Sequence, residues 1–269
     1  MNYAENSSSP FFKRRTIMLK TIASLVGVSL ISVSAAAQTA PATEKSTESN
    51  SVFKIENFGF EEEVNFFNLD SGNVTEFLQT LTWAVSSDFL THLSVPVYTD
   101  GDTGFGMLDV GADWTFVHNP VSFVDSISVG FDFKLPTSSA GFGGDGVNYV
   151  AGLGASGSTG LDKLSWDVAA SWEWNTEGDF IPVFGGFTDQ DILNAGGGLT
   201  YGLFGPVDIS VNYNFWQLES GDNLSTIGPA VDWKMCDNAK FNCGVDVPFA
   251  AYSDSDLDLI VHCGISLSF

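Results

Sequence analysis

The sequence predicts an all-β chain: a single transmembrane antiparallel β-barrel of about 12 strands, with 10 as the alternative count, after a cleaved signal peptide. Three observations predict it. Beyond residue 50, apolar and polar side chains alternate in segment after segment, and no window carries the period of an amphipathic helix. The polar phase is mostly Gly, Ser, Asn and Asp, whereas the water face of a soluble sandwich is rich in Lys, Glu, Thr and Arg. The chain then ends on "VHCGISLSF", alternating up to a terminal aromatic, Phe269, where soluble domains usually fray. Small polar residues inside, apolar residues outside and aromatics at the rims describe strands that cross lipid. Such strands must close on each other, because lipid offers no partner to an unpaired backbone group.

The N-terminal region has the order of an export signal. "FFKRRTIMLK" is basic, "TIASLVGVSLISVS" is apolar and "AAAQ" supplies small residues for cleavage. Residues 1–37 are therefore expected to be removed, with Met18 as an alternative start. Residues 38–51, rich in Ala, Ser, Thr and Glu, form a disordered leader, and residues 52–269 form the barrel. After cleavage, six Lys and no Arg remain against 32 acidic residues, a net charge of 6 − 32 = −26. Such a chain repels phosphates, so nucleic acid is excluded as a partner.

Twelve segments follow in order, at 52–60, 73–85, 89–98, 105–117, 124–135, 147–156, 164–175, 191–203, 207–217, 226–235, 241–252 and 258–269. The clearest are "MLDVGADWTFV", "DSISVGFDFKL", "LSWDVAASWEWN" and "VDISVNYNFWQ". Tyr98, Trp114, Trp172, Trp174, Tyr213, Phe215 and Trp233 gather near segment ends in the apolar phase. The first segment is the weakest, because "FGFEEEVNFF" carries three adjacent Glu and reads equally as a loop or plug. With the N-terminus periplasmic, "SSD" and "FGP" become inner turns. "YTDGDTGF", "PTSSAGFGGDG", "TEGDFIPVFGGFTDQ" and "YSDSDL" become outer loops, while "HNPVSF" is long for an inner turn.

No motif points to catalysis. "GFGGDG" and "GLGASG" match G-x-G-x-x-G literally but lack the following helix that a dinucleotide fold requires. "DGDTG" opens like a calcium loop, yet Gly111 stands where its closing Glu belongs. No Cys/His spacing suggests a metal, and no cofactor is expected. A barrel hydrolase would need His92 or His262 beside a serine such as Ser94 or Ser266, and no G-x-S-x-G marks either. Cys236 and Cys243 in "CDNAKFNC" could close a small disulfide with Cys263 left over, or all three could stay thiols.

The polar phase carries the chemistry that remains. Asp109, Asp113, Asp132, Asp167, Glu173, Asp208, Asp232, Asp246 and Asp258 fall on the predicted inner face with His262, opposed by Lys134 and Lys234. Carboxylate rings attract cations and repel anions. The expected function is passive diffusion of small solutes through an acidic lumen, with no enzyme activity. The alternatives are a non-conducting barrel acting through its surface and, more remotely, the hydrolase.

Two resemblances add to this. "VHCGISLSF" resembles the C-terminal signature of bacterial outer-membrane barrels, which implies that Phe269 and its strand are read by the barrel-assembly machinery. "VPVYTDGDTGFGMLDVGADWTFV" and "FDFKLPTSSAGFGGDG" resemble the strand–loop–strand stretches of outer-membrane proteins of the MetA-pathway phenol-degradation type. In that family a Pro-ending strand precedes a Gly-Phe-Gly-Asp loop; here Met107 and Leu108 follow "GFG", and "PTSS" lacks the usual Gly. The resemblance implies an outer-membrane channel for small, often hydrophobic, organic compounds.

Overall fold

A computed structural model describes residues 58–70, 72–100, 102–137, 142–176, 178–184, 186–251 and 257–269. The expected signal peptide, the leader and residues 52–57 lie outside the described residues. Fifteen strands are described: β1 (Phe58–Leu69), β2 (Gly72–Ala84), β3 (Phe89–Asp100), β4 (Asp102–Phe105), β5 (Leu108–Val121), β6 (Val124–Leu135), β7 (Asn148–Ser158), β8 (Leu164–Trp174), β9 (Asp179–Ile181), β10 (Gly186–Thr188), β11 (Ile192–Phe204), β12 (Val207–Leu218), β13 (Asn223–Cys236), β14 (Ala239–Ala251) and β15 (Leu257–Ser268). Twelve of them form one closed antiparallel ring, in the order β1-β2-β3-β5-β6-β7-β8-β11-β12-β13-β14-β15 and back to β1. β4 folds back on β3, and β9 and β10 make a small hairpin in the loop after β8.

Closure rests on the last strand. β15 pairs with β1 from Gly59–Ser268 to Leu69–Leu257, and the Phe269 N–H donates to the Phe58 carbonyl at 2.8 Å. The terminal aromatic is thus part of the ladder, so the sheet has no free edge. The twelve ring strands run 11 to 14 residues, enough for the ~9–11 that a tilted strand needs to cross a bilayer. Their outward phase is bulky and exposed: Leu81, Val110, Trp114, Phe131, Leu153, Val168, Leu199, Val211, Val231 and Phe249 are all open to the surroundings. An apolar surface this extensive is not covered by water at low cost.

The two ends differ as a barrel of this class requires. The end holding Phe58 and Phe269 has short turns, such as residues 122–123, 205–206 and 237–238. Gly205 takes a φ of 52°, a left-handed conformation that glycine adopts without a Cβ clash. "HNPVSF" is no long turn: β5 continues to Val121, a bulge at Asn119 (φ 49°) absorbs the extra residues, and a tight hairpin follows. The opposite end carries the long connections 136–147 and 175–191.

The weakest sequence expectation is corrected. The first strand is Phe58–Leu69, so "FGFEEEVNFF" is neither loop nor plug but a full barrel strand. Phe60, Val64 and Phe66 take one face while Glu61, Glu63 and Asn65 take the other; only Glu62, opposite Gln79, breaks the apolar row. The disulfide expectation is also corrected. Cys243 is bonded to Cys263, its direct partner across β14 and β15, and Cys236 is free and exposed. A cross-strand pair beat the sequence-local pair because the ladder brings the former side by side and puts Cys236 opposite Ala239 instead.

Candidate functional site: an acidic lining and its cap

The inward face is polar because period-2 strands place every second residue there. Around the wall, short hydrogen bonds link neighbouring strands: Thr80 with Ser94 (2.8 Å), Ser126 with Ser156 (2.8 Å), Asn65 to Glu76 (2.9 Å) and Ser266 to Glu61 (3.1 Å). Small side chains leave a cavity of about 500 Å³ beside Asp113, Asp132, Asp167, Asn194, Asn212 and Asn214. Glu61, Glu63 and Glu76 join this lining although the inner-face reading omitted them. The signal was present: around Glu62, "FGFEEEVNFF" still alternates, and one charged outward residue hid the phase.

One cluster is tight. His92 on β3 lies between two carboxylates, with Nδ1 at 3.6 Å from Asp113 and Nε2 at 3.1 Å from Asp132. Asp109 completes it, and one ligand atom from each of His92, Asp109 and Asp132 lies within 4.8 Å of the others. Gly111 sits beneath, paired with His92 on one side and Asp132 on the other. A Cβ on Gly111 would overlap both side chains, so the glycine creates the room in which they meet. Gly244 does the same for His262, and Gly228 for Asp246.

The end with long connections is capped. Residues 178–184 bring Phe180 and Val183 against Phe67, Leu69, Val74, Tyr98, Leu224, Leu257 and Ile260 of the wall, and Phe142 joins them. Tyr98 stacks on Phe142 (centroids 5.7 Å apart) and leans on Phe180 (5.0 Å). Tyr98 therefore belongs to a buried inner cluster and not to the outer aromatic rim the sequence suggested; it pairs with the inward Glu76. Lys134 fastens the cap. Its Nζ donates to Glu173 (2.8 Å) on the wall and to Asp179 (2.9 Å) on the cap. Asn148, fully buried, ties the same region together by accepting from the Thr176 N–H at 2.9 Å.

The sequence-predicted residues are not one ring. Asp109, Asp113 and Asp132 meet at His92, while Lys134 and Glu173 meet Asp179 under the cap. Asp167 stands open beside the cavity, and Asp246 accepts weakly from Asn214 at 3.4 Å. Asp208 and Asp232 oppose each other across β12 and β13 near the turn end. Lys240, which the inner-face reading missed, pairs with Asp232 at 3.0 Å. Lys234 is exposed and turned to Asp237 at 3.0 Å, away from the carboxylates it was expected to oppose. Asp258 is a correction too. A bulge at Asn68/Leu69 shifts the register, so Leu257 enters the buried cluster while Asp258 is exposed and accepts from Asn68 at 3.1 Å. Neither candidate Ser–His pair forms among the described residues. Ser94 bonds Thr80, Ser266 bonds Glu61, and His262 Nε2 has no hydrogen-bond partner.

No family model matches the sequence, and no curated protein does. Solved structures do. The NanC porin aligns with a TM-score of 0.59 at 8% identity, covering 78% of this chain and 100% of that one. The COG4313 outer membrane channel from Pseudomonas putida F1 aligns with a TM-score of 0.57 at 9% identity, covering 83% and 100%. The KdgM porin in complex with disordered oligogalacturonate aligns with a TM-score of 0.52 at 18% identity, covering 78% and 99%. The fold is that of outer-membrane porin and channel barrels. At these identities the likeness is one of architecture, and the phenol-degradation family remains a sequence resemblance.

Proposed function

We propose that this chain is a bacterial outer-membrane channel for passive diffusion of small solutes, with a lumen that favours cations. The observation that carries the reading is the carboxylate lining inside a closed ring whose outer face is apolar. Lys134 is already committed to Glu173 and Asp179, and Lys240 and Lys234 sit at the turn end. Among the described residues, Asp109, Asp113, Asp132 and Asp167 have no ion pair to a lysine along the wall. Fixed negative charge in a narrow, low-dielectric passage concentrates cations and excludes anions. The likeness to a porin holding oligogalacturonate does not extend to that ligand, because a polyanion would meet this wall with like charge. Residues 1–37 supply the export signal in this reading, and the strand ending at Phe269 supplies the contact with the assembly machinery. The resemblance to channels for small organic compounds adds uncharged or cationic organic solutes to the candidate cargo.

A second reading has its own observation. The apolar cluster under residues 178–184 covers the mouth, so the channel either opens on demand or serves as a non-conducting barrel. Planar-bilayer recording of the refolded protein separates these. Discrete cation-selective steps support the channel. A silent protein supports the structural barrel, and anion-selective steps overturn the proposed role of the lining. Replacing Asp109, Asp113 and Asp132 by Asn together should move the reversal potential toward zero in a salt gradient; an unchanged potential removes those residues from the selectivity argument.

A further inference from the structure

We propose that His92, Asp109 and Asp132 form a binding site for a divalent transition-metal ion in the lumen wall, with Asp113 orienting the imidazole from behind. The donor set is one imidazole nitrogen and two carboxylates drawn from three adjacent strands, with ligand atoms within 4.8 Å of one another. Two observations beyond proximity point to a bound cation. Asp109 Oδ1 and Asp132 Oδ1 are both withdrawn from solvent and accept no hydrogen bond. The Asp132 oxygen lies 3.1 Å from His92 Nε2, an ion pair only while the imidazole is protonated; with the ring neutral, both atoms are free to face a shared cation. A buried carboxylate oxygen without a partner calls for a water or an ion; Glu173 and Asp246 share that condition, but among the described residues only His92, Asp109 and Asp132 gather three ligand atoms within 4.8 Å.

The group behind the imidazole fits as well. Metal-bound histidines hand their other ring nitrogen to a carboxylate, which fixes the ring and its tautomer. Here Nδ1 faces Asp113 at 3.6 Å while Nε2 lies 3.1 Å from Asp132. The charge fits too: three carboxylates surround one imidazole, and Lys134 is held by Glu173 and Asp179 at 2.8 and 2.9 Å. Gly111 is the structural device, since any side chain there would fill the space the ligands share. An imidazole among carboxylates selects Zn²⁺, Mn²⁺, Fe²⁺ or Co²⁺ over Mg²⁺ and Ca²⁺, which prefer all-oxygen shells. Three protein donors leave positions open for water or for exchange. Inside a channel, such a site holds an ion in passage and does not lock it in. The idea rests on the cation-channel reading for its biological purpose, but the site stands on its own geometry.

The test uses the full barrel refolded in detergent. Titration calorimetry with ZnCl₂ should show one saturable site, with Mg²⁺ and Ca²⁺ at least tenfold weaker. Co²⁺ should give a visible absorption band. His92→Ala and Asp132→Asn should each weaken Zn²⁺ by tenfold or more, and Asp113→Asn by about tenfold, as outer-sphere losses do. His262→Ala should leave binding unchanged. A variant that fails to refold does not stall the question. In the wild type, Zn²⁺ should shift the ring signals of one of the three histidines by NMR and leave the other two. Absence of saturable Zn²⁺ binding, equal binding of Ca²⁺, or an unaltered His92→Ala overturns the proposal. Parallel bilayer recording keeps the two readings apart: binding without conductance removes the channel and keeps the site, and conductance without binding does the reverse.

Discussion

Lys134→Met should loosen the cap. In the structure one ammonium joins two carboxylates, Glu173 on β8 and Asp179 in the cap, at 2.8 and 2.9 Å. All three side chains are largely or fully removed from solvent, at 21, 3 and 7% exposure. Removing one partner of a buried pair leaves the others uncompensated, a loss of about 3–5 kcal/mol. Here the residual carboxylates also repel each other across the seam. The adhesion that remains is the burial of Phe180 and Val183, about 1.5–3 kcal/mol each. The ion pair and the apolar contact therefore contribute comparably, and losing the first should raise the population of uncapped barrels by about a hundredfold, on the order of 3 kcal/mol at the low end. Met keeps most of the stem packing, so the ring itself should survive. Single-channel recording reads the result: the variant should spend much more time open, and a protease should cut within residues 178–190 sooner. Adding Asp179→Asn to Lys134→Met should restore part of the closed time, because one repelling charge is gone. If Lys134→Met gates like the wild type, or closes more firmly, the ion pair does not hold the cap.

Other outcomes follow from the same geometry. Phe180→Ala should also open the barrel, by removing a ring 6% exposed, and its effect on open time should be less than additive with Lys134→Met; strict additivity would show that latch and cluster act separately. A maleimide should label Cys236 alone in the folded, oxidised protein, and label three cysteines after reduction and unfolding; labelling of Cys243 or Cys263 in the folded oxidised state refutes the Cys243–Cys263 bond. Gly111→Val should destabilise the barrel by about 1–3 kcal/mol, because its Cβ overlaps Asp132 and His92; wild-type resistance to urea would show that the wall yields there. Deleting Phe269 removes one ladder bond to Phe58 and should slow assembly in cells far more than it lowers the stability of refolded protein. An equal loss in both would make its role structural.

Much of this architecture was legible because a lipid-facing barrel wall is written residue by residue. Strands β6, β8 and β12, and β5 as far as Thr115, keep an unbroken period of two, and for these the inward and outward faces follow from the sequence. Failures occur where a single residue disturbs the phase. Glu62 hid β1, and with it Glu61 and Glu63; a bulge at Asn68/Leu69 sent Asp258 outward; another, at Asn119, disguised a tight hairpin as a long turn. Bulges insert one residue and reverse the alternation beyond it, and nothing in the local composition announces them. The cap was illegible for another reason. Residues 178–184 carry no alternation, and their partners, Tyr98 and Leu257 among them, are brought together only by closure of the ring.

The distribution of glycine explains how a wall of regular strands makes sites at all. In a barrel every inward position has a neighbour about 5 Å away on the next strand, so a uniform set of medium side chains would leave no room for a cluster. Gly111, Gly244 and Gly228 each stand directly beside a His or Asp whose side chain occupies the volume the missing Cβ vacates. Gly130 does the same beside Asp113 and Gly198 beside Asp167; Gly111 and Gly244 stand beside His92 and His262, the only histidines on the inner face among the described residues. Glycine in a strand weakens it by lost packing and added chain entropy. Retaining it beside His92 and His262 thus accepts a weaker ladder in exchange for defined positions of two imidazoles. Exchange of Gly244 for Ala separates this from mere tolerance: its Cβ overlaps the His262 ring, so the ring must turn. If His262 keeps its NMR signature in Gly244→Ala, the glycine is not what positions it.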